Sequence, residues 1–594
     1  MTDNHTYFAI PRSMFFHVLW PSLVSSILLS LADVADAFTI GNQHGETGLA
    51  ALGIVTPIYM VYNVLGYGFS TGGCITHIRL LSRNNDEEVL AHAKYHSLLL
   101  LLITIPIVVI GNLFLASLLG FLGVNSTHSV LYEFCSLYAS PLISAAPIFM
   151  LNFLLYDFVR CDDDPVLATL GFSIGCFSDV VLNLLFVFVL KLGITGSIYA
   201  TILAQLISIL IISLHLFGSR GVLHMKDLLK PLPFTSKVRS DIYSSLTTGF
   251  SSSISHIFQF LFLLTGNRIL IWAGDAGRIN THLYVAVFDL LTNISYLSFS
   301  VYQATTEALS PLAATFAEEH DQRSLNFVFS LSLRTGLLIG SSLAFLYGLL
   351  ASPLSSMFGL SSSATQAVSV PAVRIFLLSS PFAGAFIIFM GFYQSIERTN
   401  LTAFATIFRT LIIAIPLSVC IGYYDPVNFW LLFPISEICS ILVVLLIHFF
   451  GRPSLLDPSI HVCSTSMTNQ NCELSQVLAT ISEFCEKQQI PARKAAHIYS
   501  SIEELCLVTT AQAFTGKPDE YIQITLVEKS VGDYRLYIRN SAPLFNPLDM
   551  KMARLQIDSD AELLDSIGVM MVRQNSRSMH HRYFFGFNVL TVEL

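Results

Sequence analysis

Acidic and amide side chains stand in pairs inside segments that are otherwise apolar. LADVADAFTIG, residues 31–41, carries Asp33 and Asp36 three positions apart, and DVVLNLL, residues 179–185, carries Asp179 and Asn183 four apart. On a helix, residues three or four apart share a face, so each pair presents its oxygens together. Two close carboxylates rarely ionise together. Asp33 and Asp36 therefore suit a shared proton, or capture of Na⁺ by oxygen ligands, with Asp36 and Asp179 as the candidate Na⁺ ligands. Asp289 and Asn293, again four apart, form a second polar pair. Asp36, Asp179 and Asn183 are expected to make one cation or substrate site with Asp33 beside it, and no residue is assigned a catalytic role.

These pairs matter because of their solvent. The chain has 594 residues, of which 53% are hydrophobic and 12% charged, and its mean hydropathy is +0.64. Soluble chains carry about 25% charged residues. Twelve apolar stretches, each long enough to cross about 30 Å of hydrocarbon, run roughly over 14–40, 50–78, 96–120, 129–157, 165–190, 194–217, 245–273, 282–316, 327–352, 369–396, 401–423 and 427–450. An acid inside such a span costs about 2.5–3.5 kcal/mol and usually faces a cavity or marks an ion path. The opening MTDNHTYFAIPRS lacks a charged leader and a small-residue cleavage site, so the first span is expected to stay. The ten cysteines show neither CxxC spacing nor a disulfide framework and read as reduced packing residues.

Lysine and arginine set the orientation. With a cytoplasmic N-terminus, Arg12, Arg79, Arg83, Lys94, Arg160, Arg220, Lys226, Lys230, Lys237, Arg239, Arg323, Arg398 and Arg452 all lie inside, and only Lys191 and Arg278 lie outside. Both termini are then cytoplasmic, in a multi-pass protein of the cell membrane. LLYDFVRCDDDPVLAT closes the fourth span and GFYQSIERTNLTAFAT the tenth, with Tyr156 and Tyr393 each ahead of an arginine-bearing turn. The echo predicts two six-helix lobes, 1–217 and 245–452, joined by a basic loop at 218–244, with a substrate site near their interface. Charge density then rises: 28 of the last 142 residues are charged, against 43 of the first 452. Residues 453–472 read as a linker and 473–594 as a cytosolic domain. The expected fold is an all-α membrane bundle followed by a two-layer α/β sandwich.

Residues 14–450 resemble the multidrug and toxic compound extrusion (MATE) family. The resemblance lies in Asp36 five residues before Gly41, LAALGIVTPIY at 49–59, DVVLNLLFVFVLKLGITGSIYATILAQ at 179–205, SPL at 310–312, FYQSIER at 392–398, Arg409 and PISE at 434–437. It implies a V-shaped cleft of two lobes that alternates access and exports organic solutes against inward Na⁺ or H⁺, with no cofactor. In the branch that uses the N-lobe for cations, an asparagine precedes the aspartate of the fifth span by four residues; here Asp179 precedes Asn183. The acids of the seventh and tenth spans used by other branches are missing from SSSISHIFQF at 251–260 and SSPFAGAF at 379–386. Glu307, Arg268, Arg334 and Arg409 read as internal ion pairs or span ends, and His256 as a packed, hydrogen-bonded histidine. The 45 phenylalanines suit a cleft for lipophilic cations.

The C-terminal part reads as two helices (474–489, 491–514), two strands (521–528, 534–540), a helix (560–575) and a strand (587–593). With SIEELCLV, FNPLD and FNVLTVEL it resembles the histidine-kinase-like ATPase fold of anti-sigma-factor kinases. The nucleotide pocket is degenerate. Val508 stands four residues after Glu504, where the family has a Mg²⁺-binding asparagine, and Mg²⁺ needs oxygen. Asn540 replaces the adenine-binding aspartate, and of the phosphate-loop glycines only Gly568 remains. ATPase or kinase activity is thus not expected, and the domain reads as a regulatory or binding module for a cytosolic protein. The whole reads as a cation-coupled exporter whose partners are a small-molecule substrate and membrane lipid, with no nucleic acid. The alternatives are a lipid-linked oligosaccharide flippase of the same superfamily, or a membrane sensor or anchor for a signalling domain.

Overall fold

A computed structural model describes residues 7–81, 86–124, 129–162, 164–218, 222–450, 460–469, 471–514, 520–530, 532–549, 560–584 and 587–594. Runs of Leu, Ile, Val and Phe, with few polar interruptions, favour helices that satisfy their own backbone groups, as hydrocarbon requires. The first half comprises α1 (Ala9–Leu81), α2 (Asp86–Leu113), α3 (Leu115–Leu122), α4 (Ser129–Ser144), α5 (Ala146–Cys161), α6 (Pro165–Leu184) and α7 (Gly193–Ile212). After the short α8 (Met225–Leu228), the second half comprises α9 (Ser236–Asp275), α10 (Thr281–Glu318), α11 (Gln322–Leu349), α12 (Ala351–Met357), α13 (Ser363–Ser395), α14 (Thr399–Ile407), α15 (Ile415–Tyr424) and α16 (Leu432–Phe450).

Helix α1 has 73 residues and breaks at Gly45, whose φ of 61° is a conformation that suits glycine. Among the described residues, ten helices are long and apolar enough to cross a membrane, or eleven if the pair α4 and α5, bent by 50°, counts as one span. That count falls short of twelve because α1, taken as one helix across its kink at Gly45, covers both of the first two expected spans. Among the described membrane helices two stretches widen into π-helix: Leu185–Val189 directly after α6 and Phe408–Ala414 between α14 and α15.

Three packing features join the parts. The N-terminal portion of α1, through Ile10, Met14, Phe15, Leu19 and Leu23, lies in one apolar cluster with residues of α10, α11 and α13. Glycines bring α1 and α9 into backbone contact: a Cβ at Gly249 would collide with the carbonyl of Gly68, and one at Gly72 with that of Ser245. A disulfide joins Cys74 to Cys161, which corrects the reading of all cysteines as reduced. Their separation of 87 residues gave no motif to find.

Beyond the membrane helices, β1 (His461–Thr468), α17 (Asn471–Lys487), α18 (Ala492–Val508), β2 (Tyr521–Ser530), β3 (Asp533–Asn540), α19 (Asp560–Asn575), β4 (Ser578–Phe584) and β5 (Phe587–Glu593) follow. The strands form a small antiparallel sheet in the order β1-β2-β3-β5-β4. Strand β1 occupies the stretch read as linker, and β4 was not anticipated. One face of the sheet, with Met467, Ile524, Leu536, Ile538, Leu590 and Val592, packs against Val477, Ile481, Ile498, Ile502 and Val569 of the three helices.

Candidate functional site

Asp36 lies on α1 nine residues before the break at Gly45, and its carboxylate is ringed by hydroxyls. Tyr138 of α4 donates to Oδ2 at 2.6 Å. Ser197 of α7 stands 2.6 Å from Oδ1, and Thr201, one turn further along α7, lies 3.2 Å from the same oxygen. Ser197 also stands 2.6 Å from Oδ1 of Asn183. Asn183 in turn donates through Nδ2 to the Asp179 carboxylate at 3.1 Å and to its carbonyl at 3.2 Å. Thr39, one turn beyond Asp36, approaches Asn183 Oδ1 at 3.4 Å.

The three residues expected to form one site are therefore linked in a row, Asp36 to Ser197 to Asn183 to Asp179. The reversed order on α6 leaves Asn183 fully buried beside Ser197 and sets the Asp179 carboxylate one turn away. The side chain of Asp33 lies outside the described residues. Tyr138, Ser197, Thr201 and Thr39 were missed, and only their polarity inside apolar spans marked them.

The second polar pair sits on α10. Asn293 donates to the Asp289 carboxylate at 3.1 Å and to its carbonyl at 2.9 Å, repeating the clasp made by Asn183 and Asp179. Both residues are buried, and Asp289 faces Gly53 of α1, where a Cβ would come within 2.9 Å of the Asp289 side chain. Asn267 of α9 donates to the Gly53 carbonyl at 2.7 Å. This pair makes a contact between the halves rather than part of the Asp36 row.

Other expected charges find structural partners. Arg409 donates to Glu437 at 3.1 Å and lies 4.6 Å over the ring of Phe386, and Arg268 donates to the Phe121 carbonyl at 2.5 Å. His256 stacks on Tyr67 at 4.7 Å. One buried cluster went unanticipated. Asp162, at the end of α5, meets His77 at 3.2 Å and His215 at 3.0 Å, and accepts from the backbone N–H groups of Val222 and Leu223 at 2.9 and 2.8 Å. Burial opposes its ionisation, yet these hydrogen bonds prevail and hold its carboxyl below the usual aspartate value. Among the described residues no group of three His, Cys, Asp or Glu side chains could hold a metal ion.

In the C-terminal unit, the four residues of the degenerate nucleotide pocket are occupied with one another or with the core. Val508 is fully buried. Asn540 accepts from Asn588 at 2.9 Å and from the Ala542 N–H at 3.2 Å. Gly568 lies against Glu504 so closely that any Cβ there would collide with the Glu504 carboxylate.

A bundle of apolar helices in two halves, with a half-buried carboxylate row beside a broken helix, is the architecture of a multi-pass secondary transporter. The MatE family profile matches residues 21–189 and 257–420, more than half of the chain, and the chain belongs to that family. Members of the family are secondary transporters, not enzymes. Among curated proteins, Multidrug export protein MepA of Staphylococcus saprophyticus is 22% identical over 46% of this chain, a match spanning 60% of that protein's length. The FAD transporter of Shewanella oneidensis is 22% identical over 74% of this chain and 94% of its own. The probable multidrug resistance protein YoeA of Bacillus subtilis is 24% identical over 36% of this chain and 47% of its own. Among solved structures, an inward-facing multidrug resistance MATE family transporter of the MOP superfamily gives a TM-score of 0.62 at 21% identity, covering 72% of this chain and 94% of that one. An outward-facing one gives 0.58 at 21% identity, covering 75% and 96%. The family match ends at residue 420 and does not reach the C-terminal unit.

Proposed function

We propose that the chain is a proton-coupled antiporter that exports small organic compounds by alternating access between its two halves. The observation that carries this reading is the hydrogen count at Ser197. Its hydroxyl stands 2.6 Å from two oxygens, Oδ1 of Asp36 and Oδ1 of Asn183. The amide nitrogen of Asn183 is turned to Asp179, so the oxygen facing Ser197 can only accept. A hydroxyl has one hydrogen to donate. The row is complete when Asp36 carries a proton, with Asp36 donating to Ser197 and Ser197 to Asn183. Loss of that proton leaves two acceptors sharing one donor, while Tyr138 and Thr201 steady the carboxylate. Two hydrogen-bond arrangements that differ by one proton are what coupling requires.

In this reading, α1 makes two spans on either side of Gly45, which brings the spans to twelve with both termini cytoplasmic. The units are 1–217, 218–244, 245–452 and 473–594, with strand β1 added to the last. The C-terminal unit is a non-catalytic relative of the histidine-kinase-like fold, because Val508 gives Mg²⁺ no oxygen and Asn540 is already paired. The likeness to an FAD transporter along most of that protein's length supports a second cargo, an anionic flavin nucleotide.

The test is efflux from proteoliposomes loaded with a fluorescent lipophilic cation or with FAD, under an imposed H⁺ or Na⁺ gradient, for the native chain and Asp36→Asn. The expected result is efflux driven by the pH gradient and lost in Asp36→Asn, which is nearly isosteric but cannot release a proton. Efflux driven only by Na⁺ would replace the proton with Na⁺ at Asp36 and Asp179. Efflux retained by Asp36→Asn would refute the site.

A further inference from the structure

An antiparallel sheet packed on one face usually shows its other face to water. Here the second face is buried. On β2 and β3, Gln523, Thr525 and Arg539 all point away from the helices of their own unit, and their exposures are 1%, 0% and 1%. They are covered by the turn between α10 and α11. Arg539 forms an ion pair with Glu319, itself 3% exposed, and lies 4.9 Å over the ring of Phe316 at the end of α10. Gln523 accepts from Arg539 at 3.3 Å and donates to Ser324 of α11 at 3.1 Å. Ser464 of β1 reaches Asp321 at 3.4 Å.

The same aspartate holds the start of the coupling helix. Tyr7 donates to the Asp321 carboxylate at 2.9 Å, and Asp321 caps α11 by accepting from the Ser324 N–H at 3.1 Å. Phe8 stacks on Phe327 at 4.2 Å. Phe587 of β5 completes the apolar cluster in which Met14 and Phe15 of α1 meet Phe316 and Phe392. Helix α1 thus has one end fixed to the second half and to the sheet, and its Asp36 fixed to α4, α6 and α7 of the first half. An element shared in this way must yield when the halves part on the side of Tyr7.

Resting on the transport reading above, we infer that the C-terminal unit is a latch: docked on Glu319, Asp321 and Ser324, it pins the start of α1 to the second half and restrains opening toward the cytoplasm. Its natural occupant is this segment of the chain itself. The surface is too polar to be a generic apolar contact, because buried Arg539 is paired with buried Glu319 and buried Gln523 with Ser324 across it. Removing one partner of such a pair leaves an uncompensated buried charge, so the docked state depends on the match. Release of the unit then accelerates transport.

The test uses the full chain in proteoliposomes. Ser324→Cys and Gln523→Cys are bridged by a short bis-methanethiosulfonate reagent that dithiothreitol removes, with each single variant as control. Bridging is expected to slow pH-driven efflux at least tenfold, with recovery on reduction, and Arg539→Met is expected to raise the rate several-fold. A second readout needs no cargo. Ser253, 2% exposed, donates to the Val64 carbonyl at 2.6 Å between α9 and α1, and alkylation of Ser253→Cys reports separation of the halves. Bridging should slow that alkylation and Arg539→Met should speed it. Bridged protein that transports and alkylates as fast as the same protein after dithiothreitol treatment overturns the latch. Absence of efflux from the reduced protein, with alkylation still slowed by bridging, overturns the transport reading and leaves the latch standing.

Discussion

Replacing Gly249 by alanine perturbs the halves where their backbones touch. The added Cβ would fall far inside the 3.0 Å that real Cβ atoms keep from other atoms, and its obstacle is the Gly68 carbonyl, not a side chain that can swing away. Gly72 faces the Ser245 carbonyl one turn along, so neither helix can slide to relieve the clash without meeting a second one. Overpacking of this kind costs about 1–3 kcal/mol. The penalty falls only on the arrangement in which α1 and α9 are in contact. Every 1.4 kcal/mol is a factor of ten in an equilibrium, so the separated population should rise roughly 5- to 150-fold. Alkylation of Ser253→Cys by a membrane-impermeant maleimide in inside-out vesicles reads this directly, since Ser253 lies one turn from Gly249. An alkylation rate unchanged by Gly249→Ala, in protein that still elutes as a single folded species, would refute the claim that backbone contact at this crossing holds the two halves together.

Two further outcomes are expected. Ser197→Ala removes the bridge between Asp36 and Asn183 and leaves buried acceptors unpaired, which costs about 1–3 kcal/mol; pH-driven efflux should fall at least tenfold while Ser197→Thr keeps most of it. Burial pushes the Cys506 thiol up to about 12, so near pH 7.5 it stays protonated and resists iodoacetamide. Mass spectrometry should find Cys506 modified only after unfolding; modification in the folded protein would mean that α18 does not pack as described.

The chemistry of Asp36, Asp179 and Asn183 was legible because carboxylates and amides are rare in apolar spans, where each must have a reason. Their hydroxyl partners were not, since a serine or threonine in a span can satisfy itself on the preceding turn, as Thr39 does with the Ala35 carbonyl at 2.9 Å. Nothing in the sequence separates Thr39 from Ser197. The Asp289–Asn293 clasp was visible as a spacing, but its neighbour Gly53 lies far away along the chain. The echo around Tyr156 and Tyr393 falls near the ends of α5 and α13. The short strands β1 and β4 escaped because HVCSTSMT and SMHHRYF carry polar residues where a half-buried strand would show apolar ones. On β1 the reason is now plain, because Ser464 serves the docking face. Alternation along β2 and β3 puts Arg539 and Gln523 on the face away from the helices of their unit, and the second surface in front of them buries both.

The two π-helical stretches of the membrane helices fall in corresponding members of the two halves: Leu185–Val189 in the fifth expected span and Phe408–Ala414 in the eleventh. A wide turn holds one residue more than an α-turn, and passing that residue along the helix rotates what precedes it by about 100°. In the first half, the residue before the wide turn is Leu184, next to Asn183. In the second half the equivalent turn is flanked by Ile407 and Ile415, and it carries Arg409, which is paired with Glu437. The slack in the helix is therefore shared by the two halves, whereas the Asp36–Ser197–Asn183–Asp179 row belongs to one of them. One half sets the joint beside the Asn183–Asp179 clasp, and the other sets it on the Arg409–Glu437 ion pair.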